Sequence, residues 1–250
     1  MKNLINFRGF SDIKSKDGKK IRPLIFRSGY LESLNDEDIN YLINQNIKNI
    51  IDFRSKGEIE REISTKIPNS IVIELDVLAD SLMNYSSLEN INKSKNQYEA
   101  NNHMNQIYKD MVLKPSAILS YKNFFRHLID SEGGTLFHCF AGKDRTGFAA
   151  FLFLKILDVD DEHIFDDYLK TKKEREKANN IILDKHKQDG ILSKEEIEAI
   201  EILLSVEKSY LEIAIDSIKE SYIDFENYTQ KALELSKDDI KKLREKYLYE

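Results

Sequence analysis

Tryptophan is missing from this 250-residue chain, cysteine occurs once, and only 3 prolines and 9 glycines interrupt it. A single cysteine excludes an internal disulfide and points to a reducing compartment. So few breakers leave room for much regular structure, mainly helix. Long apolar runs are missing too, so no segment suits a membrane span. The opening MKNLINFRGF lacks the apolar core of a secretory signal. A cytoplasmic protein is the expectation, with export without a cleaved signal as the alternative. Basic residues are not in excess either: 38 Lys and Arg face 44 Asp and Glu, a net charge of −6. No global field attracts nucleic acid or an acidic membrane surface. An anionic substrate must therefore be captured by a local basic site.

What is present is an ordinary globular composition, 41% hydrophobic and 33% charged, with enough apolar surface for one domain over residues 1–250. The first half alternates strand-like and helix-like segments. Residues 21–28 and 48–53 read as strands, as do 70–77 and 135–138. Asn35 offers an N-cap to a helix over 36–46 with Ile39, Leu42 and Ile43 inward. A short polar helix is expected over 57–62. Pro115 suits the first turn of a helix to about 130, with Ile118, Leu119, Phe125 and Leu128 inward. Residues 78–112 are rich in Asn and Ser and weakly periodic; they read as a mobile lid or insertion with a helical piece near 101–111. Residues 160–250 read as a helical C-terminal portion, with capping boxes at Ser193/Glu196 and Ser236/Asp239. The alternation predicts an α/β class: a central sheet flanked by helices, extended by that helical portion.

The string His138-Cys139-Phe140-Ala141-Gly142-Lys143-Asp144-Arg145-Thr146-Gly147 carries chemistry. It runs strand, tight loop, apolar helix, an order that aims peptide N–H groups and a helix N-terminus at an anion. Cys139, at the loop's base, is the candidate nucleophile, because the same field favours the thiolate. Arg145, at the far end, offers a planar fork for two phosphate oxygens. Ala141 and Gly142 let the backbone approach a ligand. Thr146 is placed to hydrogen-bond the cysteine sulfur, and His138 to organise the loop. Phe140 to Arg145 together form the expected phosphate cradle.

A His-Cys pair, five residues and Arg-Thr resembles the signature of protein tyrosine and dual-specificity phosphatases. HCFAGKDRTG is similar to a bacterial subfamily acting on phosphotyrosine and on phosphoinositides. NFRGF, IFRSGYLESL, IIDFRSKGEIE and VEKSYLEIAIDSI agree with it, so the resemblance spans nearly the whole chain. It implies a mostly parallel sheet of the cysteine-phosphatase type and phosphorylated protein or phosphoinositide substrates. It also implies Asp144 as the general acid, since the Trp-Pro-Asp loop of many such enzymes is absent. Asp76 and Asp80, beyond a predicted strand, are the rivals.

Asp52 and Arg54 read either as a surface ion pair or as support at a strand end. Lys143 adds a cation that would suit a second anionic group on the substrate, or would merely offset Asp144. The stretch Lys170–Lys177 reads as a solvated helix face. His103, His127, His163 and His186 share no metal-ligand spacing, so neither metal nor cofactor is expected. Three further functions compete. Arsenate reduction would need thiols that the chain does not have. A non-catalytic phosphate-binding module would be expected to have lost Cys139 or Arg145. An inositol polyphosphate phosphatase would use the same mechanism on a soluble substrate. The oligomeric state stays open.

Overall fold

The computed structural model describes residues 3–81 and 93–250. A five-stranded sheet lies at its centre, built from β1 (Arg8–Gly9), β3 (Ile25–Ser28), β4 (Ile47–Asp52), β5 (Ile71–Glu74) and β6 (Gly134–His138). The spatial order is β1-β3-β6-β4-β5. β3, β6, β4 and β5 run parallel, and only β1 is antiparallel to its neighbour. A separate two-stranded ribbon joins β2 (Lys20–Ile21) to β7 (Leu248–Tyr249) near the C-terminus.

Period-two alternation divides the strands between two cores. Phe26, Ile50 and Leu136 face a smaller cluster with Leu42 of α1 (Asp36–Asn44). Ile25, Ile51 and Phe137 face a larger one, which includes residues of α3 (Gln97–Leu113), α4 (Pro115–Asp130) and α5 (Asp144–Ile156). The same cluster takes residues from α6 (Asp161–Asp189), α8 (Lys208–Tyr222) and α10 (Lys237–Tyr247). Helices thus cover both faces, as a parallel sheet requires. In register, Ser28, His138 and Asp52 stand side by side where three strands end. Ligands of open α/β sheets bind outside such carboxyl ends.

Several expected elements differ in detail. The strand expected over 21–28 is two short ones, with Arg22–Leu24 between them. Ile43 and Leu119, expected inward, are 39% and 56% exposed. Each sits one position off the buried stripe of its helix, Ile43 after Leu42 and Leu119 before Ser120. The irregular stretch 78–112 falls partly on 82–92, outside the described residues. Within its remainder, α3 is longer than the expected piece and packs on α4, α7 (Lys194–Leu204) and α8. Both expected C-terminal capping boxes are present, each with its two hydrogen bonds. Gly190 closes α6 in the left-handed region. A third capping box, Ser55 with Glu58, starts α2 (Lys56–Arg61).

Candidate active site

β6 delivers Cys139 to the end of the sheet, and α5 begins five residues later. The loop between them is held by its carbonyls. Phe140 O accepts from the Tyr30 N–H at 2.9 Å. Ala141 O accepts from Arg175 Nη1 at 3.0 Å. Gly142 O accepts twice, from Asn6 Nδ2 at 2.8 Å and Arg27 Nη2 at 2.9 Å. A trans peptide points its N–H opposite its C=O, so outward carbonyls turn the amides inward. Among the described residues, the N–H groups of Phe140 to Arg145 find no protein acceptor. Such a run of unbonded amides, completed by a helix N-terminus, is an anion nest.

Gly142 is glycine for a reason other than ligand approach. Its φ is +66°, and an added Cβ would land on the Ser28 carbonyl. The loop wall is pressed against the end of β3 there, and a side chain would lift it off. Ser28 and Gly29 belong to the IFRSGY block, which gives that block a physical role.

Arg145 is buried, and its guanidinium forms a two-pronged pair with Glu58, Nη1–Oε2 at 2.7 Å and Nη2–Oε1 at 2.8 Å. Burial opposes the charge on Arg145, but the Glu58 carboxylate outweighs it and raises the guanidinium above its ordinary value. Burial likewise opposes the Glu58 charge, yet Arg145 and the Ser55 cap hold this carboxyl down at about 2. Glu58 was not singled out from the sequence, although its signal was visible as the third residue of the Ser55 capping box.

Asp52 and Arg54 are buried rather than at the surface. Arg54 Nε and Nη2 grip the Asp52 carboxylate at 3.0 and 2.7 Å, while Nη1 and Nη2 reach Glu62 O and Ser64 Oγ. The pair braces the turn that carries Phe53 and Glu58 to Arg145. His138 is fully buried, with Nδ1 3.2 Å from Cys139 O and Nε2 3.6 Å from Asp52 Oδ2. Burial pushes His138 below its ordinary value, so the ring is neutral at pH 7. Burial pushes Asp52 up, but His138 and Arg54 together hold it low. Because the ring is neutral, the Arg54 guanidinium supplies most of that effect.

Three expectations meet different surroundings. Thr146 Oγ1 is sealed and makes no hydrogen bond, the Cys139 sulfur included. Lys143 reads from sequence either as a cation for a second substrate anion or as an offset to Asp144, and its surroundings fit the second. It is buried, with Nζ at 2.6 Å from Leu203 O, 2.9 Å from Ser205 O and 3.3 Å from Asp144 Oδ2. Two of the ammonium's three donors go to these carbonyls, and its charge is paired with Asp144. Lys170–Lys177 is solvated except at Thr171 and Arg175, which are buried with Asp167 four residues earlier. That i, i+4, i+8 spacing marks one helix face and was the missed signal for Arg175.

The acid candidates separate. Asp144 lies in the first turn of α5, with Oδ1 accepting from Tyr108 OH at 2.9 Å. Tyr108 OH is in turn 2.6 Å from Tyr168 OH. Asp76 follows β5 and is half-buried; burial raises it, while Arg145 lies near enough to lower it. Asp80 exchanges hydrogen bonds with Ser116 in the first turn of α4.

This geometry is matched by similarity over the whole chain. The family model described as "Tyrosine phosphatase family" matches residues 1–249. The chain belongs to the tyrosine phosphatase family. A relative from Cupriavidus necator, named "Putative tyrosine-protein phosphatase", is 28% identical over 97% of this chain and 85% of its own. The "Triple specificity protein phosphatase PtpB" of Mycobacterium tuberculosis is 25% identical over 91% of each chain. The protein is thus a phosphatase with an α/β fold, and no described helix is long and apolar enough to cross a membrane.

Proposed function

We propose that this phosphatase hydrolyses phosphotyrosine and phosphoinositide monoesters through a phosphocysteine intermediate on Cys139. The observation that carries the reading is the run of acceptor-less amides from Phe140 to Arg145 closing over the only cysteine. The amides and the Arg145 fork hold the three non-bridging oxygens of the phosphoryl group. The Cys139 thiolate attacks phosphorus, the bond to the leaving oxygen breaks, and Asp144 gives that oxygen its proton. Water then attacks the phosphocysteine and gives its proton back to Asp144. Inorganic phosphate leaves and the thiolate is restored. Asp52, Arg54 and His138 support the loop without touching substrate. The phrase "triple specificity" in the PtpB name favours a broad substrate range. A soluble inositol polyphosphate is the alternative substrate, and the cytoplasm the proposed compartment.

Cys139→Ser is expected to keep vanadate binding and to lose 4-nitrophenyl phosphate turnover by at least about a thousandfold. Full activity in that variant would overturn the reading.

A second reading of the acid has its own observation. Both Asp144 oxygens already have partners, whereas burial favours the protonated form of Asp76 near Arg145. Loss of an acid hurts poor leaving groups most. Asp144→Asn is expected to slow an alkyl phosphate about tenfold more than 4-nitrophenyl phosphate. If Asp76→Asn gives that pattern and Asp144→Asn does not, Asp76 is the acid.

A further inference from the structure

Four arginines are buried among the described residues: Arg27, Arg54, Arg145 and Arg175. Three have a carboxylate. Arg27 pairs with Asp167 at 2.6 Å, Arg54 with Asp52 at 2.7 Å and Arg145 with Glu58 at 2.7 Å. Arg175, 4% exposed, has none. Its Nε donates to Asn179 Oδ1 at 3.2 Å and its Nη1 to Ala141 O at 3.0 Å, both neutral acceptors. Nη2 has no partner among the described residues, and, unlike Arg27 Nε, it is not sealed from solvent. A buried charge without a counter-charge is costly. Here a charge with no carboxylate in contact stands at the wall of the phosphate cradle, hydrogen-bonded to the Ala141 carbonyl.

The phosphate in the cradle is not the missing partner. Arg175 grips the carbonyl of the 141–142 peptide, whose N–H points the other way, into the nest. By peptide and hydrogen-bond dimensions, the guanidinium lies roughly 8 Å from an anion held by that N–H. Lys143 does not compete for the role, since it is buried, donates to Leu203 O and Ser205 O, and already has Asp144 as its counter-charge. The stacked rings of Tyr30 and Phe140, 4.9 Å apart and nearly parallel, flank the same wall.

We propose that Arg175 is a specificity-determining residue that binds a second phosphate group on the same substrate molecule, as on a bisphosphorylated inositol ring. The inference rests on the cysteine-phosphatase reading above. A compact ring presents two phosphates at fixed spacing to a cation that is only 4% exposed. An acidic side chain flanking a phosphotyrosine would have to reach that cation from a backbone lying outside. The guanidinium fork suits phosphate oxygens, and the charge gained from the ligand replaces the missing carboxylate.

The test compares wild type, Arg175→Gln and Arg175→Lys on four substrates. These are 4-nitrophenyl phosphate, an inositol bisphosphate, dioctanoyl phosphatidylinositol bisphosphate and a phosphotyrosine peptide with acidic flanks. Gln keeps a donor for Ala141 O and removes the charge. Arg175→Gln is expected to lower kcat/KM at least a hundredfold on a bisphosphate, mainly through KM, and tenfold or less on 4-nitrophenyl phosphate. Lys should recover part of the difference. A fall on both bisphosphates supports recognition of the headgroup alone, and a fall on one of them identifies that source. Equal losses on all four substrates overturn the proposal and leave Arg175 a brace for Ala141. A selective loss on the acidic peptide, or no bisphosphate turnover by wild type, also overturns it. Turnover of 4-nitrophenyl phosphate surviving in Cys139→Ser would instead mean that the underlying reading has failed.

Discussion

Arg145 keeps its charge where water hardly reaches, and Glu58 makes that tolerable. Removing one partner of such a pair costs about 3 kcal/mol, because the other charge is left buried. Glu58→Gln should therefore destabilise the fold by about that much at pH 7 and also lower kcat/KM, since the fork loses its aim. The pH dependence fixes the cause. The Glu58 carboxyl is held at about 2, below its ordinary 4.5. Its contribution is complete above about pH 4.5 and is lost as pH falls toward 2. In urea unfolding, the gap between wild type and Glu58→Gln should narrow over that interval. A gap that stayed constant would assign the loss to packing. The cradle's candidate residues were legible because spacing alone sets Cys139 and Arg145 at the two ends of one short loop. The buried partners were less so: a carboxylate in a capping box and an arginine amid lysines look like surface charge until burial is known.

At the scale of elements, the β6–α5 loop owes its shape to segments distant in sequence. Asn6 and Arg27 both clamp the Gly142 carbonyl, and Arg8 and Arg27 both reach Asp167 of α6. This is what the NFRGF and IFRSGY blocks do, and sequence could quote those blocks without assigning them a task. Asn6→Ala removes one of two donors on Gly142 O. We expect kcat to fall about tenfold while circular dichroism is unchanged, because loop geometry, more than helix content, depends on it. An unchanged kcat would show that Arg27 alone suffices. Elements with a local code were read well. Pro115 opens α4, Asn35 caps α1, and two C-terminal capping boxes start α7 and α10. Lengths and faces were read less well, because tertiary neighbours decide where a stripe ends, as at Ile43 and Leu119.

Across the molecule, a parallel sheet lines up Ser28, His138 and Asp52 at one edge, and the helices of the C-terminal portion close around it. α6 contributes Asp167 and Arg175 to the cradle, and the α7–α8 junction contributes the carbonyls that hold Lys143. The helical C-terminal portion is thus part of the site's wall. That could not be read from sequence, since helix phase alone does not say which surface a helix meets. The proposed carrier of phosphate between two half-reactions is the Cys139 sulfur, and this can be observed directly. Wild-type enzyme mixed with 4-nitrophenyl phosphate, quenched within milliseconds and mapped by mass spectrometry should carry one phosphoryl group on Cys139. Turnover with no phosphoenzyme at any time point, or with the phosphoryl group on another residue, would contradict the account.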